Sequence, residues 1–219
     1  MTTPTDIANM ATDYLDIDPI GNLDTDMSGA GKLLRRNYAA AVDTVIAEFT
    51  WNETRTFAGL DEIVLPSWFE RDGTDHQYGY AYPPNCLRLI EINGRPIQEV
   101  THDIASFPLY DTGGVEISRQ RTILCDVAEH IVLCFGARID AADMGPHLQK
   151  AVALELAERC ISKARNSGEA LARIQDMYRK TTKGDQTRTG GYQISSRERN
   201  PKPPRDYPST GARARAGEI

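Results

Sequence analysis

The stretch Tyr78-Gly-Tyr-Ala-Tyr-Pro-Pro-Asn-Cys-Leu-Arg-Leu-Ile-Glu-Ile-Asn-Gly94 is the most informative part of this 219-residue chain. Three tyrosines alternate with small residues at its start, which is the two-residue period of a β-strand. After Pro83-Pro84, a run rich in leucine and isoleucine ends at Asn93-Gly94, the dipeptide most typical of a two-residue hairpin turn. The stretch therefore predicts antiparallel strands in the middle of the chain.

Further short strands are predicted on both sides of this stretch. Ile63-Val-Leu forms one that ends at Pro66, because proline removes a backbone donor. The others are Ile97–Val100, Val115–Ser118, Thr122–Cys125 and His130–Phe135. Residues 54–139 are thus predicted to form a small, mostly antiparallel β unit of about five strands.

Two amphipathic helices are predicted before this unit, within residues 1–53. The first covers residues 5–15. The second is capped by Asp26, ends near Phe49–Trp51 and has its apolar residues three or four positions apart. Its alanines 39–41 are small enough to allow close approach by a neighbouring helix.

Two more helices are predicted within residues 140–184, forming a helical hairpin. The first is capped by Asp143, and its apolar stripe repeats every four residues at Leu148, Val152, Leu156, Cys160 and Ala164. Glu155 and Glu158 lie off that stripe, so they are predicted to lie on a solvated or inter-subunit face. The second follows Ser167-Gly168 and presents Leu171, Ile174 and Tyr178.

The predicted fold class is α+β. The N- and C-terminal helices form a four-helix bundle, the small antiparallel β unit is inserted between them, and an extended C-terminal arm follows.

The last 35 residues, 185–219, differ in composition from the rest of the chain. They hold seven Lys/Arg and four Asp/Glu, so they carry +3 and residues 1–184 carry −9. Sizeable apolar residues are few and prolines are frequent, so this segment cannot offset its ordering entropy alone. We expect an arm that binds a partner, with a merely solubilising tail as the alternative. Its candidate contact residues, chosen because Arg and Tyr are common interface anchors, are Arg197, Arg199, Lys202, Arg205, Tyr207, Arg213 and Arg215.

Cysteine usage indicates a reduced interior rather than disulfides or zinc. Cys86, Cys125, Cys134 and Cys160 include no CxxC pair, and no histidine pair stands close by. They are predicted to be buried free thiols.

No run of residues is apolar enough to span a membrane, and residues 1–20 lack the features of a secretory signal, so folding in a cytoplasm is expected.

Two segments partly match ligand-binding loops. Ser28-Gly-Ala-Gly-Lys32 looks like the end of a phosphate-binding loop, but Asp26 and Leu33 stand where a glycine and a Ser/Thr are required. Asp24-Thr-Asp-Met-Ser-Gly29 matches half of a calcium loop, but Arg35 replaces the bidentate glutamate. No cofactor and no metal is therefore predicted.

The sequence singles out no catalytic group. The acid pairs Asp61/Glu62 and Glu155/Glu158 could do acid–base work, but carboxylates are abundant in this chain. Tyr78, Tyr80 and Tyr82 share one strand face, where packing or an inter-subunit contact is favoured over base stacking, which normally comes with a basic groove.

Taken in chain order, several segments resemble the head-to-tail adaptor (connector) proteins of short-tailed bacteriophages, the family that includes tail tubular protein A. The resemblance covers about residues 5–182. The chain departs from the family pattern at Asn52-Glu53, and residues 185–219 do not align. The similar segments are Tyr14-Leu15, Pro19-Ile-Gly-Asn-Leu23, Asn37-Tyr38, Phe49-Thr-Trp51, Tyr80-Ala-Tyr-Pro-Pro-Asn-Cys-Leu-Arg88, Met144-Gly-Pro-His-Leu148, Leu154-Glu-Leu-Ala157 and Leu171 to Tyr178.

The resemblance implies a structural protein of the virion neck, assembled in the host bacterial cytoplasm and without enzymatic activity. Such adaptors form a ring of about twelve copies. The ring joins the portal protein to the tail nozzle protein and continues the channel, through which DNA passes without sequence-specific binding. Tail fibres are a further candidate partner, and a membrane is not. By analogy, the basic residues of segment 185–219 would clasp the portal.

Two alternatives stay open at this point. One is a virion-associated cell-wall hydrolase, which needs a carboxyl group of raised pKa across a cleft from a second one. The other is a host-interaction module with a peptide-like tail.

Overall fold

The computed structural model describes residues 1–63, 65, 78–110, 116–128, 130–164 and 168–183. Four α-helices occur in this part of the chain: α1 (Pro4–Leu15), α2 (Gly29–Glu48), α3 (Pro146–Ala164) and α4 (Gly168–Thr182). Between α2 and α3 lie eight described strands: β1 (Arg55–Leu60), β2 (Glu62–Ile63), β3 (Tyr78–Ala81), β4 (Cys86–Ile92), β5 (Arg95–Pro96), β6 (His102–Tyr110), β7 (Glu116–Cys125) and β8 (Ile131–Ala137). None of the helices in these ranges is long and apolar enough to cross a membrane.

The strands form two four-stranded sheets, in the orders β1-β8-β4-β5 and β2-β3-β7-β6. Every described strand pair is antiparallel. One buried apolar cluster draws from both sheets, with Leu89 and Phe135 from the first and Tyr80 and Ile123 from the second. The β part is therefore a two-layer sandwich, larger than the predicted unit of about five strands.

The predicted hairpin at Asn93-Gly94 is confirmed. Asn93 and Gly94 have φ values of 51° and 75°, the left-handed conformation that a type I′ turn requires. Asn93 also pairs with Val132 on the neighbouring strand, because its backbone N–H donates at 2.8 Å and its side-chain oxygen accepts at 2.7 Å. The predicted return strand Ile97–Val100 is wrong, since the return is only Arg95–Pro96 and Ile97–Glu99 forms a 3₁₀ turn.

The predicted four-helix bundle is wrong as well. In such a bundle each helix turns one apolar stripe toward a shared core. Here α1, α2 and α4 each pack against α3. Residues 151–157 of α3 are all buried, as expected for a central helix surrounded by its neighbours. The predicted four-residue stripe described only one face of this helix.

Capping explains where the first two helices begin. Thr3 and Asp6 form a reciprocal capping box at the start of α1. At α2 the cap is Ser28, whose hydroxyl accepts from Gly31 N–H at 3.0 Å. The predicted cap Asp26 instead accepts from the Ser28 N–H at 2.8 Å, so it supports the cap from outside the helix.

Candidate interaction surfaces

The predicted portal-binding residues all lie outside the described part of the chain. They are Arg197, Arg199, Lys202, Arg205, Tyr207, Arg213 and Arg215. Their role therefore stays a prediction.

The helical part and the sandwich are joined through Arg88 of β4. Its Nη1 donates to the carbonyl oxygens of Ala47 and Glu48, at 2.8 and 2.7 Å. The last carbonyls of a helix lack partners within the helix, and a cation is favoured at that end. Gly136 of β8 lies beside this contact, where a Cβ would meet Ile46 and Arg88 at ordinary van der Waals distances of 3.4 and 3.7 Å. The sheet thus caps α2.

Trp51 lies in the connection between the end of α2 and the start of β1. Its side chain is fully buried, and its indole N–H donates to the Val45 carbonyl at 3.1 Å. The Phe49 ring meets it edge-on, with the ring centroids 6.4 Å apart. This buried aromatic pair fixes the direction in which the chain leaves the helix.

A nearly buried ion pair crosses the first sheet. Arg55 of β1 donates to Glu91 of β4 at 2.7 Å, and their side chains are 7% and 23% exposed. Strand β8 lies between β1 and β4, and its Cys134 is the register partner of Glu91. Burial raises the pKa of the Cys134 thiol, so this group stays neutral beside the pair. The arrangement fixes the register of three strands and shows no activated nucleophile.

A second polar cluster lies where α2, α3 and α4 meet; we call it the helix junction. It consists of Thr44 and Glu48 of α2, Glu155, Glu158 and Arg159 of α3, and Gln175 and Tyr178 of α4. The Tyr178 hydroxyl donates to Glu48 at 2.8 Å, and the Gln175 amide donates to Glu158 at 2.8 Å. Arg159 donates to Glu155 and Thr44, both at 2.7 Å.

Glu155 is buried within the chain, whereas the sequence predicts it on a solvated or inter-subunit face. It is 9% exposed, and this burial raises its carboxyl pKa. Arg159 lowers that pKa, whereas Glu158 and Glu48 raise it. Tyr178 is half-buried beside the same carboxylates, and burial followed by its bond to Glu48 raises its phenol pKa. The sequence signal that could have revealed Glu155 is its place within the otherwise apolar run Ala151–Ala157.

The helix junction does not form the two-carboxylate cleft that a cell-wall hydrolase needs. Glu155 is held by Arg159 inside packed helices. A described cavity of about 460 Å³ lies elsewhere and is lined by Asp13, Asp16, Ile17 and Asp18. The other predicted acid, Asp61, pairs with His130 at 2.8 Å in an exposed position.

The alternating tyrosines pack against the interior of the sandwich. Tyr80 is fully buried, and its hydroxyl donates to the Val127 carbonyl at 2.6 Å. Tyr78 and Tyr82 are partly buried against the same core. Arg121 stacks over the Tyr82 ring at 4.1 Å. The prediction of packing is confirmed for this face.

All four cysteines are buried and free, as predicted. Burial raises the pKa of the Cys86, Cys125 and Cys134 thiols, and it raises that of Cys160 to about 11.

The segment that matches half of a calcium loop is held by a contact within the chain, because the Arg35 guanidinium donates to the Asp24 carbonyl. Within the described ranges no group of three or more Cys, His, Asp or Glu could hold a metal ion.

No protein-family model matches the chain, and no curated protein matches it significantly in sequence.

Proposed function

We propose that this protein is a structural component of a head-to-tail adaptor ring in the neck of a short-tailed bacteriophage. Copies of the chain would assemble side by side into a ring of about twelve. The ring would join the portal protein to the tail nozzle protein, and DNA would pass through its channel.

The observation that carries this proposal is the position of the segment Tyr80–Arg88, one of the segments in which the chain resembles the adaptor family. Tyr80 and Cys86 are buried in the sandwich core, and Arg88 caps α2 two residues further on. One segment therefore ties the β part to the helical part. That the resemblance includes residues with this architectural role supports the proposal.

The distribution of charge also supports the proposal. Residues 1–184 carry −9 and residues 185–219 carry +3. An acidic wall repels the phosphate backbone, which suits a channel that DNA crosses without binding. A basic, proline-containing arm suits attachment to a separate protein, because prolines reduce the entropy lost on docking.

An uncovered part of α2 is suited to a contact between copies. Ala39 and Ala40 are exposed, whereas Ala41 is fully buried against the helical core. Small side chains let a neighbouring backbone approach closely. The proposal places this surface next to the adjacent copy in the ring.

Co-sedimentation with portal rings tests the proposed role of the arm. The full chain and a chain ending at Gly184 are each mixed with purified portal rings and centrifuged. The full chain should sediment with the rings, and the shortened chain should stay in the supernatant with an unchanged circular dichroism spectrum.

A charge-reversed full-length chain provides the matched control for arm length. Replacing Arg197, Arg199 and Arg205 by Glu keeps the length and should also abolish co-sedimentation. Normal co-sedimentation of the shortened chain would contradict the role of the arm. Failure of the full chain to bind portal rings would contradict the adaptor proposal itself.

A further inference from the structure

We propose that the helix junction is a pH-sensitive latch, which holds α4 against the body more tightly when a carboxyl group at the junction takes up a proton. This inference concerns the conformation of the body, and it stands whether or not the chain is an adaptor.

The docking of α4 combines apolar packing with two hydrogen bonds to carboxylates. Ile174 and Thr182 are its fully buried residues, and Leu171 and Met177 pack partly against the core. The two hydrogen bonds are those from Tyr178 to Glu48 and from Gln175 to Glu158. Both of these bonds therefore end on acids of other helices.

The helix junction contains three acids and one base, Arg159. Glu48 on α2 and Glu155 and Glu158 on α3 face one another, and each acts on the ionisation of Glu155 or Tyr178. Arg159 is the guanidinium in direct contact with Glu155.

Two further cations lie at the edge of the junction. Arg88 binds the main-chain oxygen of Glu48 rather than its carboxylate. The ammonium of Lys183 lies 5.9 Å from the Phe49 ring centroid. Glu48 and Glu158 act on Glu155 by repulsion, since each of them raises its pKa.

The direction of the pH effect follows from the burial of Glu155. In the docked state burial and the neighbouring carboxylates hold its pKa above the usual value. Undocking α4 would expose the junction to water and return this pKa toward its ordinary value. The docked state therefore binds the proton more tightly than the undocked state does. As pH falls through the pKa that Glu155 has in the docked state, the docking of α4 strengthens, and as pH rises through that pKa, the docking weakens.

The latch would have a mechanical consequence for the segment that follows. Residues 184–219 are attached to the body through α4, so undocking this helix would extend the reach of that segment. Individual elements open locally with free energies below that of global unfolding, so a small electrostatic contribution is effective at α4.

Hydrogen exchange of the full chain between pH 5 and pH 8 tests the latch, with each amide corrected for its intrinsic exchange rate. We expect the protection factors of α4 amides to rise as pH falls, by at most about tenfold per pH unit, the limit for one titrating proton. Amides of β8 should show no such trend. The Glu155→Gln variant should keep α4 protected at pH 8 and remove the slope.

Glu169→Gln is the matched control, because Glu169 is an exposed glutamate in the first turn of α4. This variant should keep the wild-type slope. If Glu155→Gln does not fold, a carbon-13 NMR titration of the Glu155 carboxyl in the wild-type chain replaces it. Protection of α4 that is independent of pH, an unchanged slope in Glu155→Gln, or an ordinary Glu155 titration would each overturn the proposal.

Discussion

The Tyr178 hydroxyl donates a hydrogen bond of 2.8 Å to the Glu48 carboxylate, joining two helices across 130 positions of sequence. The Tyr178 ring also contacts Phe49, with centroids 6.4 Å apart. Phe49 in turn packs edge-on against the buried Trp51. A continuous set of contacts therefore runs from the last described helix to the point where the chain enters the sandwich.

Replacing Tyr178 by Phe should destabilise the protein by about 1 kcal/mol, because it removes one hydrogen bond to a partly solvated carboxylate and keeps the ring. The free energy of unfolding in urea measures this effect. Tyr14→Phe is the control, since Tyr14 is also half-buried but makes no described hydrogen bond. It should change stability by less than about 0.5 kcal/mol. Equal effects of the two variants would show that the hydroxyl of Tyr178 contributes nothing.

The Trp51→Ala variant should lose about 3–5 kcal/mol of stability, because it empties a fully buried aromatic position. It also leaves the Val45 carbonyl without its indole donor. Thermal unfolding followed by circular dichroism gives the comparison. A loss of stability below about 1 kcal/mol would mean that neighbouring side chains fill the volume left by the indole at no cost in free energy, contrary to the packing described.

Arg88→Met should cost about 1–2 kcal/mol, because methionine keeps an apolar stem but cannot donate to the last carbonyls of α2. Its matched control is Arg95→Met, at an exposed position in the short strand β5. That variant should be nearly neutral. Hydrogen exchange should further show faster opening of the last turn of α2 in Arg88→Met alone. Equal exchange in both variants would argue against the capping role.

The four native thiols should not react with a disulfide reagent at pH 8 in the absence of denaturant. Burial blocks access and raises their pKa, to about 11 for Cys160, so the reactive thiolate is scarce at this pH. Adding an Ala39→Cys substitution supplies an exposed thiol as a control, and this one should react at the rate of a free peptide. Rapid reaction of any native thiol would show that its part of the core opens readily.

Local signals predicted much of the helical structure. The predicted first helix, residues 5–15, agrees with Pro4–Leu15, and Asn93-Gly94 forms the expected turn. These features depend on side-chain spacing and turn chemistry within a few residues. The sequence predicts the cap of α2 two residues early, because Asp26 and Ser28 are both good capping residues and only the contact with Gly31 distinguishes them.

The assembly of these elements could not be predicted in the same way. Pairing of β1 with β8 joins Arg55 to Gly136, a long-range choice that no local pattern encodes. The four-residue stripe of α3 suggested a bundle, whereas Ala151, Ala153 and Leu154 make the helix buried on its other sides too. A charged residue is rarely buried, so the sequence predicts Glu155 on a solvated or inter-subunit face. In the structure it pairs with Arg159 and is buried among the packed helices.

The most direct test of the adaptor proposal is the number of copies of this protein per purified virion, measured by quantitative mass spectrometry against the capsid protein. The proposal predicts about twelve copies, as one ring in the neck requires. Absence of the protein from the virion would contradict the proposal. It would direct attention to the cell-wall hydrolase and host-interaction alternatives.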